Sequence, residues 1–134
     1  MSGRLRICVM ALAVLVATLT SGCQHSKPQE NMDLIAEQIQ NDLQVRPDVT
    51  KAEVTYQNTL DAYQLAFVNI DTKPGADLDA LMDEGFRLVW LSRLQPLSEI
   101  QVWVSDAAQH HGDHRSAGKE DFADLTAKYG KRPV

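Results

Sequence analysis

Residues 63–105 carry a strand pattern, an amphipathic helix pattern and a second strand pattern in succession. The two strand segments, YQLAFVNI at 63–70 and EIQVWVS at 99–105, alternate along the chain and are rich in branched and aromatic side chains. Residues 78–94, which lie between them, place their apolar side chains at helical spacing. A helix that connects two strands of one sheet crosses over in the right-handed sense and makes those strands parallel. The segment therefore predicts a parallel strand pair connected by a helix.

The patterns on either side add two helices and one strand. Residues 32–44 carry a helical apolar stripe that ends before Pro47, since the residue before a proline avoids the helical region. Residues 52–58 alternate as a strand, and the short segment 59–62 suits an antiparallel hairpin with the strand at 63–70. A last helix carries three apolar residues at helical spacing: Phe122, Leu125 and Tyr129.

The order helix–strand–strand–helix–strand–helix predicts an α+β domain over residues 31–134. We expect a three-stranded mixed sheet with the helices packed mainly on one face, similar to a ferredoxin-like split unit that lacks one strand. The polar stretch 106–118 is expected to lead into the last helix without adding a strand.

Two positions in the helix at 78–94 indicate how it packs. Asp77 precedes it and suits the N-cap. Gly85 lies within the apolar stripe, where it lowers helix propensity by about 1 kcal/mol relative to Ala, so a close approach to a sheet or to another helix is expected. Phe86 and Trp90 lie on the flank of the stripe, with Arg93 near enough to stack on the indole. We expect them to pack in the core or at its edge, and the alternative is an aromatic platform that binds a ligand.

The N-terminal 22 residues indicate export. MSGRLR is basic, residues 7–19 form an apolar run of 13 residues, and small residues follow. That run is too short to span a bilayer, which takes about 20 helical residues. A basic start, a short apolar centre and small residues are typical of a secretory signal peptide.

Residues 19–23, Leu-Thr-Ser-Gly-Cys, resemble a bacterial lipoprotein box, with Thr20 where Leu is usual. The resemblance implies that Cys23 carries a diacylglyceryl group and becomes the new N-terminus, on the outer face of the cell membrane. Residues 23–30 then form a flexible tether. The alternative is ordinary cleavage that leaves Cys23 as a single unpaired thiol in an oxidising compartment, since Cys8 leaves with the signal peptide.

The charge balance excludes one class of partner. Lys and Arg total 13 against 18 Asp and Glu, a net charge of −5. A protein that follows the phosphates of a nucleic acid needs a basic stripe, which this composition does not provide. Phosphate-binding glycine loops, nucleophile elbows and paired metal-ligand motifs are absent from the sequence, so we predict a protein that is not an enzyme and has no cofactor.

One short segment contains chemistry-bearing side chains. His110, His111, Asp113 and His114 offer three imidazoles and a carboxylate, groups that bind zinc or copper. Adjacent side chains on an extended segment point apart, and a second cluster of ligands is missing elsewhere in the sequence. These residues are weak candidates for a metal site and support the alternative function, a metal-handling or hydrolytic accessory.

The aromatic residues of the predicted strands form the second candidate site. Tyr63 and Phe67 share one side of their strand and Trp103 lies on the polar side of the next, whereas the aliphatic side chains face the other way. Because the aliphatic side should pack against the helix at 78–94, these three aromatics are predicted to form a contact surface for a second copy or another envelope protein. The alternative is that the first or last helix covers them.

Three segments resemble a protein family. These are the turn at 73–77, KPGAD, the stretch at 87–102, RLVWLSRLQPLSEIQV, and the tail at 125–134, LTAKYGKRPV. They are similar to small exported or lipid-anchored proteins of actinobacteria that have no assigned activity, and the likeness covers residues 47–134. The resemblance implies an envelope protein and supplies no catalytic or ligand-binding residues. Taken together, we expect a lipid-anchored interaction module.

Overall fold

The computed structural model describes residues 27–60, 63–106, 108 and 111–133. The predictions for the signal peptide, Cys23 and His110 fall outside these ranges. The elements, in chain order, are α1 (Lys27–Gln44), β1 (Val49–Gln57), β2 (Leu65–Thr72), α2 (Leu78–Trp90), β3 (Glu99–Asp106), β4 (His111–Gly118), a 3-10 turn (Lys119–Asp121) and α3 (Phe122–Tyr129). Within the ranges described, no helix combines the length and the apolar character needed to cross a membrane.

The strands form one mixed sheet in the order β1-β2-β3-β4. The β1–β2 and β3–β4 pairs are antiparallel, and the β2–β3 pair is parallel with α2 as its crossover. The hairpin and the parallel pair are therefore as the sequence predicts, and the α+β class is confirmed.

The prediction of three strands is wrong, because residues 111–118 form a fourth strand at the free edge of β3. Only Ala117 in β4 is buried, so the strand lacks the apolar alternation that identifies a strand in sequence. Hydrogen bonding to β3 holds it in place instead. The ferredoxin-like interpretation is also wrong, since four strands lie side by side in chain order.

The core lies between one face of the sheet and the helices. Alternate residues of β1, β2 and β3 are buried on that face; α1 packs on β1, α2 packs on the other three strands, and α3 packs on α2. Ile70, Leu81, Met82, Ile100 and Val102 are fully buried there. The aliphatic side of the sheet thus packs against α2, as the sequence predicts.

Gly85 is the point of closest approach between α2 and the sheet. A Cβ added at Gly85 would lie 2.9 Å from Cγ1 of Val102 and 3.7 Å from Cγ1 of Val68. Asp77 caps α2 by accepting a hydrogen bond from the backbone N–H of Ala80 at 3.0 Å. The predicted reasons for both residues are confirmed.

Several element boundaries differ from the sequence prediction. Helix α1 begins at Lys27, inside the segment expected to be a tether, because a proline such as Pro28 is tolerated in the first turn. Helix α2 ends at Trp90 instead of residue 94, and β2 begins at Leu65 instead of 63. The later start of β2 follows from the positive φ angles of Tyr63 (42°) and Gln64 (60°), which are incompatible with a strand.

The C-terminal segment packs against Trp90. Its indole Nε1 donates to the backbone carbonyl of Gly130 at 2.8 Å, and Phe122 contacts the ring edge-on at a centroid distance of 5.1 Å. The cation over the indole is Arg132, whose guanidinium carbon lies 5.5 Å from the ring centroid. The expectation that Arg93 would stack there is wrong, because α2 has ended before that residue.

Candidate functional site

All three helices pack on the same face of the sheet, so within the described ranges no helix covers the opposite face. We call this second surface the open face. Strand alternation and the register assign to its centre the side chains of Glu53, Thr55, Phe67, Asn69, Gln101, Trp103, His114 and Ser116. Most of these are amides, hydroxyls or charged groups, and the apolar part is small and central.

Trp103 and His114 form a stacked pair of rings on the open face. They are directly opposite each other in the β3–β4 register, and their rings stack with a centroid distance of 4.1 Å and an interplanar angle of 29°. Trp103 remains 45% exposed, and Phe67 lies half-buried beside the pair on β2. The stack holds an exposed indole in one orientation, in reach of any molecule that lies on the sheet. The sequence does not reveal it, because its second member is in the strand that the sequence does not predict.

Polar side chains around the aromatic centre form hydrogen bonds with one another. Gln101 Nε2 donates to Glu99 Oε1 at 2.7 Å, and Ser105 Oγ donates to Asp71 Oδ1 at 3.1 Å. These contacts fix donors and acceptors along β3, on both sides of the indole. The open face is therefore a polar surface with an aromatic centre.

Tyr63 is not part of that centre. It lies in the turn before β2, 75% exposed, at a groove of about 460 Å³ that begins where Glu99, Ser116 and Gly118 end the open face. Two of the three predicted contact residues, Phe67 and Trp103, thus lie close together, and the third lies at the margin. Neither α1 nor α3 covers them, in contrast to the alternative from the sequence.

The candidate metal ligands of β4 do not converge. His111 and Asp113 face the helix side of the sheet, whereas His114 faces the open side and is stacked on Trp103. His111 and Asp113 line a cavity of about 510 Å³ beside the N-terminus of α2, together with Asp77 and Asp79. In the part of the chain that the structure describes, no three His, Cys, Asp or Glu side chains are arranged to hold a metal ion.

Carboxylates of α2 form ion pairs with arginine side chains. Asp79 pairs with Arg115 of β4, and Glu84 bonds Arg87 at 2.7 Å. The hydrogen bond from Arg87 lowers the pKa of Glu84 below its usual range. A carboxylate that acts as a general acid at neutral pH needs a raised pKa, and this one is shifted the other way.

Asp83 on the same helix shows the same behaviour. Partial burial acts to raise the pKa of Asp83, but hydrogen bonds from Lys128 and from Tyr129, whose hydroxyl lies 2.6 Å from Oδ1, lower it overall. These contacts tie α3 to α2. The carboxylates of α2 therefore have structural partners and do not assemble a catalytic pair.

The two edge strands of the sheet differ in how their outward backbone groups are hydrogen-bonded. Along β1, glutamine side chains of α1 bond the outward backbone groups: Gln44 accepts from the N–H of Ala52 at 2.8 Å, and Gln40 accepts from the N–H of Val54 at 3.1 Å. Along β4, the main contacts are with β3, α2 and the 3-10 turn, and among the described residues no helix closes the outer edge. Helix α1 therefore covers the β1 edge, whereas the β4 edge has no such cover among the described residues.

No family model, curated protein or solved structure matched this chain when each of the three was compared with it.

Proposed function

We propose that this protein is a lipid-anchored binding module of the cell envelope, without enzymatic activity, that contacts another envelope protein through the open face of its sheet. The observation that carries the proposal is the exposed indole of Trp103, held by His114 next to Phe67 on a surface that the helices leave bare. Aromatic side chains are enriched in the centres of protein interfaces.

The stack favours binding over simple exposure. A side chain that is already ordered loses less conformational entropy when a partner binds, and this saves about 0.5–1.5 kcal/mol per ordered side chain. The stack orders Trp103, and amides and hydroxyls form a polar rim around it. This arrangement of an aromatic centre and a polar rim is that of a non-obligate interface.

The charges of the open face indicate which surface charge a partner needs. Glu53, Asp71 and Glu99 lie on this face, with Lys51 as the basic residue at its β1 edge. A matching partner surface therefore has an apolar centre and a neutral or basic rim, because opposed charges of one sign would repel.

The lipid anchor is tested on Cys23. In the Cys23→Ala variant the acceptor thiol is gone, so we expect no uptake of labelled palmitate and no protein in the washed membrane fraction. The Cys8→Ala variant, which keeps Cys23, is the matched control and should behave as the wild type. Palmitate labelling that persists in Cys23→Ala would contradict the anchor.

The contact surface is tested with a photo-reactive amino acid placed in living cells. At Gln101, beside Phe67 in the register, it should give a crosslink to one other envelope protein, identified by mass spectrometry. At the exposed Glu37 of α1, on the opposite side of the molecule, it should not. Equal products from both positions, or none from Gln101, would contradict the proposal.

A further inference from the structure

The backbone N–H groups on the outer edge of β4 form hydrogen bonds with side chains of nearby residues, and no other strand pairs with this edge among the described residues. The N–H of His114 donates to the carboxylate of its neighbour Asp113 at 2.8 Å, and the N–H of Gly118 donates to Asp121 at 3.0 Å. Because N–H and C=O groups alternate in direction along a strand, Gly112 and Ser116 face the same way as these two. The outward groups thus repeat at every second residue from Gly112 to Gly118.

The contrast with β1 indicates that this edge is available. The backbone groups at the β1 edge bond glutamine side chains from a whole helix, which leaves no room for an added strand. The corresponding bonds on β4 come from side chains within the same strand or the adjoining turn. An added strand displaces such local bonds without moving a helix.

The charges of β4 are self-complementary. Asp113 and Arg115 lie on either side of His114 and face the same side of the sheet. When two such strands run antiparallel about a two-fold axis at His114, each Asp113 lies opposite the other copy's Arg115. Opposite charges directly across a strand pair stabilise the pairing, and the two-fold symmetry produces this contact twice.

We propose that β4 pairs with β4 of a second copy, antiparallel and centred on His114, so that the two sheets join into one of eight strands. The N–H of each His114 donates to the backbone carbonyl of the other copy's His114, and Gly112 and Ser116 exchange N–H to carbonyl bonds in the same way. Within one chain Arg115 already pairs with Asp79 and, at 3.3 Å, with Asp113. In the joined sheet the Asp113 carboxylate, released from the His114 N–H, exchanges its own Arg115 for that of the second copy.

The pairing has a structural consequence for the open face. The two Trp103–His114 stacks meet at the axis on the same side of the joined sheet, so one continuous surface carries two aromatic centres. The pairing uses the edge of the sheet and does not depend on the function proposed for its face. It holds or fails whatever the open face binds.

The first test uses charge reversal in the full chain, purified in detergent, with molecular mass measured by sedimentation across a dilution series. The wild type should dimerise. Asp113→Arg and Arg115→Asp should each lose the dimer, because each places like charges opposite one another. An equimolar mixture of the two variants should recover a dimer that contains one chain of each, since every pair is then opposite in charge.

The second test reads the register by disulfide formation. Paired Cα atoms about 5.5 Å apart suit a disulfide, so His114→Cys should crosslink to a second copy under mild oxidation. Ser116→Cys is the matched control: at about 3.3 Å per residue, the two cysteines lie about 13 Å apart along the strands and should not crosslink. Any disulfide through Cys23 would occur equally in both variants.

Four results would overturn the pairing. The wild type could remain monomeric up to its solubility limit. A dimer could survive both single charge reversals, which would place the contact on another surface. His114→Cys and Ser116→Cys could crosslink to the same extent, or His114→Cys could crosslink to a different protein, which would make β4 a docking edge for an extended segment of that protein. Thermal melting of each variant shows whether lost pairing reflects unfolding.

Discussion

The side-chain amide of Gln44 pairs with the backbone of Ala52 as a neighbouring strand would. Its Oε1 accepts from the N–H of Ala52 at 2.8 Å, and its Nε2 donates to the carbonyl of Thr50 at 3.1 Å. Gln29 on the first turn of the same helix reaches the carbonyl of Tyr56 at 3.5 Å. Helix α1 therefore both covers the core side of β1 and closes its edge against another strand.

Gln44→Ala should lower the free energy of unfolding by about 1 kcal/mol, because the N–H of Ala52 loses its acceptor in a partly buried position. Gln38→Ala is the matched control, since that amide bonds only Asp42 of its own helix, at 3.0 Å, and should change stability by less than about 0.5 kcal/mol. Urea unfolding of both variants measures the difference. Equal losses would show that the edge contact does not contribute to stability.

The glutamine contacts could not be predicted from the sequence. Gln40 and Gln44 lie one helical turn apart on α1, a spacing that solvent-exposed glutamines also show. Their role depends on the distance between a helix and a strand edge, which is set by tertiary packing. Residues that satisfy backbone groups across elements leave no periodic pattern in the chain.

The role of Gly85, in contrast, could be predicted from the sequence, because this glycine lies in the apolar stripe of α2. Gly85→Ala should destabilise the fold by about 1–3 kcal/mol through overpacking against the stiff, fully buried Val102, although alanine raises helix propensity by about 1 kcal/mol. The check is a double-mutant cycle by urea unfolding. Val102→Ala should cost less in the Gly85→Ala background than in the wild type, and additive losses would contradict the contact.

The ion pair of Glu84 makes the stability of the fold depend on pH in the acid range. The hydrogen bond from Arg87 lowers the pKa of Glu84 below its usual 4.5 in the folded state, so the unfolded chain binds the proton more tightly. The stabilisation is complete above pH 4.5 and is lost as the pH falls through the lower pKa of the folded state.

Glu84→Gln should therefore weaken the fall in stability between neutral and acid pH, by about 0.5 kcal/mol or less for an i,i+3 pair at the surface. The measurement is the urea midpoint at pH values on either side of 4.5, in low salt. Glu37→Gln, at an exposed position of α1, is the control for the loss of one negative charge. A Glu84→Gln variant with the same pH dependence as the wild type would contradict the assignment.

The candidate site was partly predictable for the same physical reason that β4 was not. Strand β3 carries its aliphatic side chains on one side only, so alternation predicts that Trp103 lies away from the core. Strand β4 buries only Ala117 and pairs Arg115 with Asp79, so its sequence resembles a polar loop. The partner of Trp103 was therefore missed, together with the edge on which the proposed dimer depends.

The two tryptophans lie on opposite faces of the sheet and separate folding from binding. Trp103→Ala removes a half-exposed ring and one stacking contact, so we expect a loss of about 1 kcal/mol. Trp90→Phe keeps an aromatic ring in the core but loses the hydrogen bond to the Gly130 carbonyl and part of the contacts of the indole with Phe122 and Arg132, which costs about 1 kcal/mol or more. Both variants thus lose stability, but only Trp103→Ala alters the open face.

Crosslinking from Gln101 should be lost in Trp103→Ala and retained in Trp90→Phe, because only the first variant changes the open face. Urea unfolding of both variants measures the stability that each has lost, so that the crosslink yields are compared against it. If both variants lose the crosslink equally, the loss follows stability and the open face is not the contact surface. If Trp103→Ala keeps the crosslink at wild-type yield, the indole does not contribute to binding, and the aromatic centre has no role in the contact.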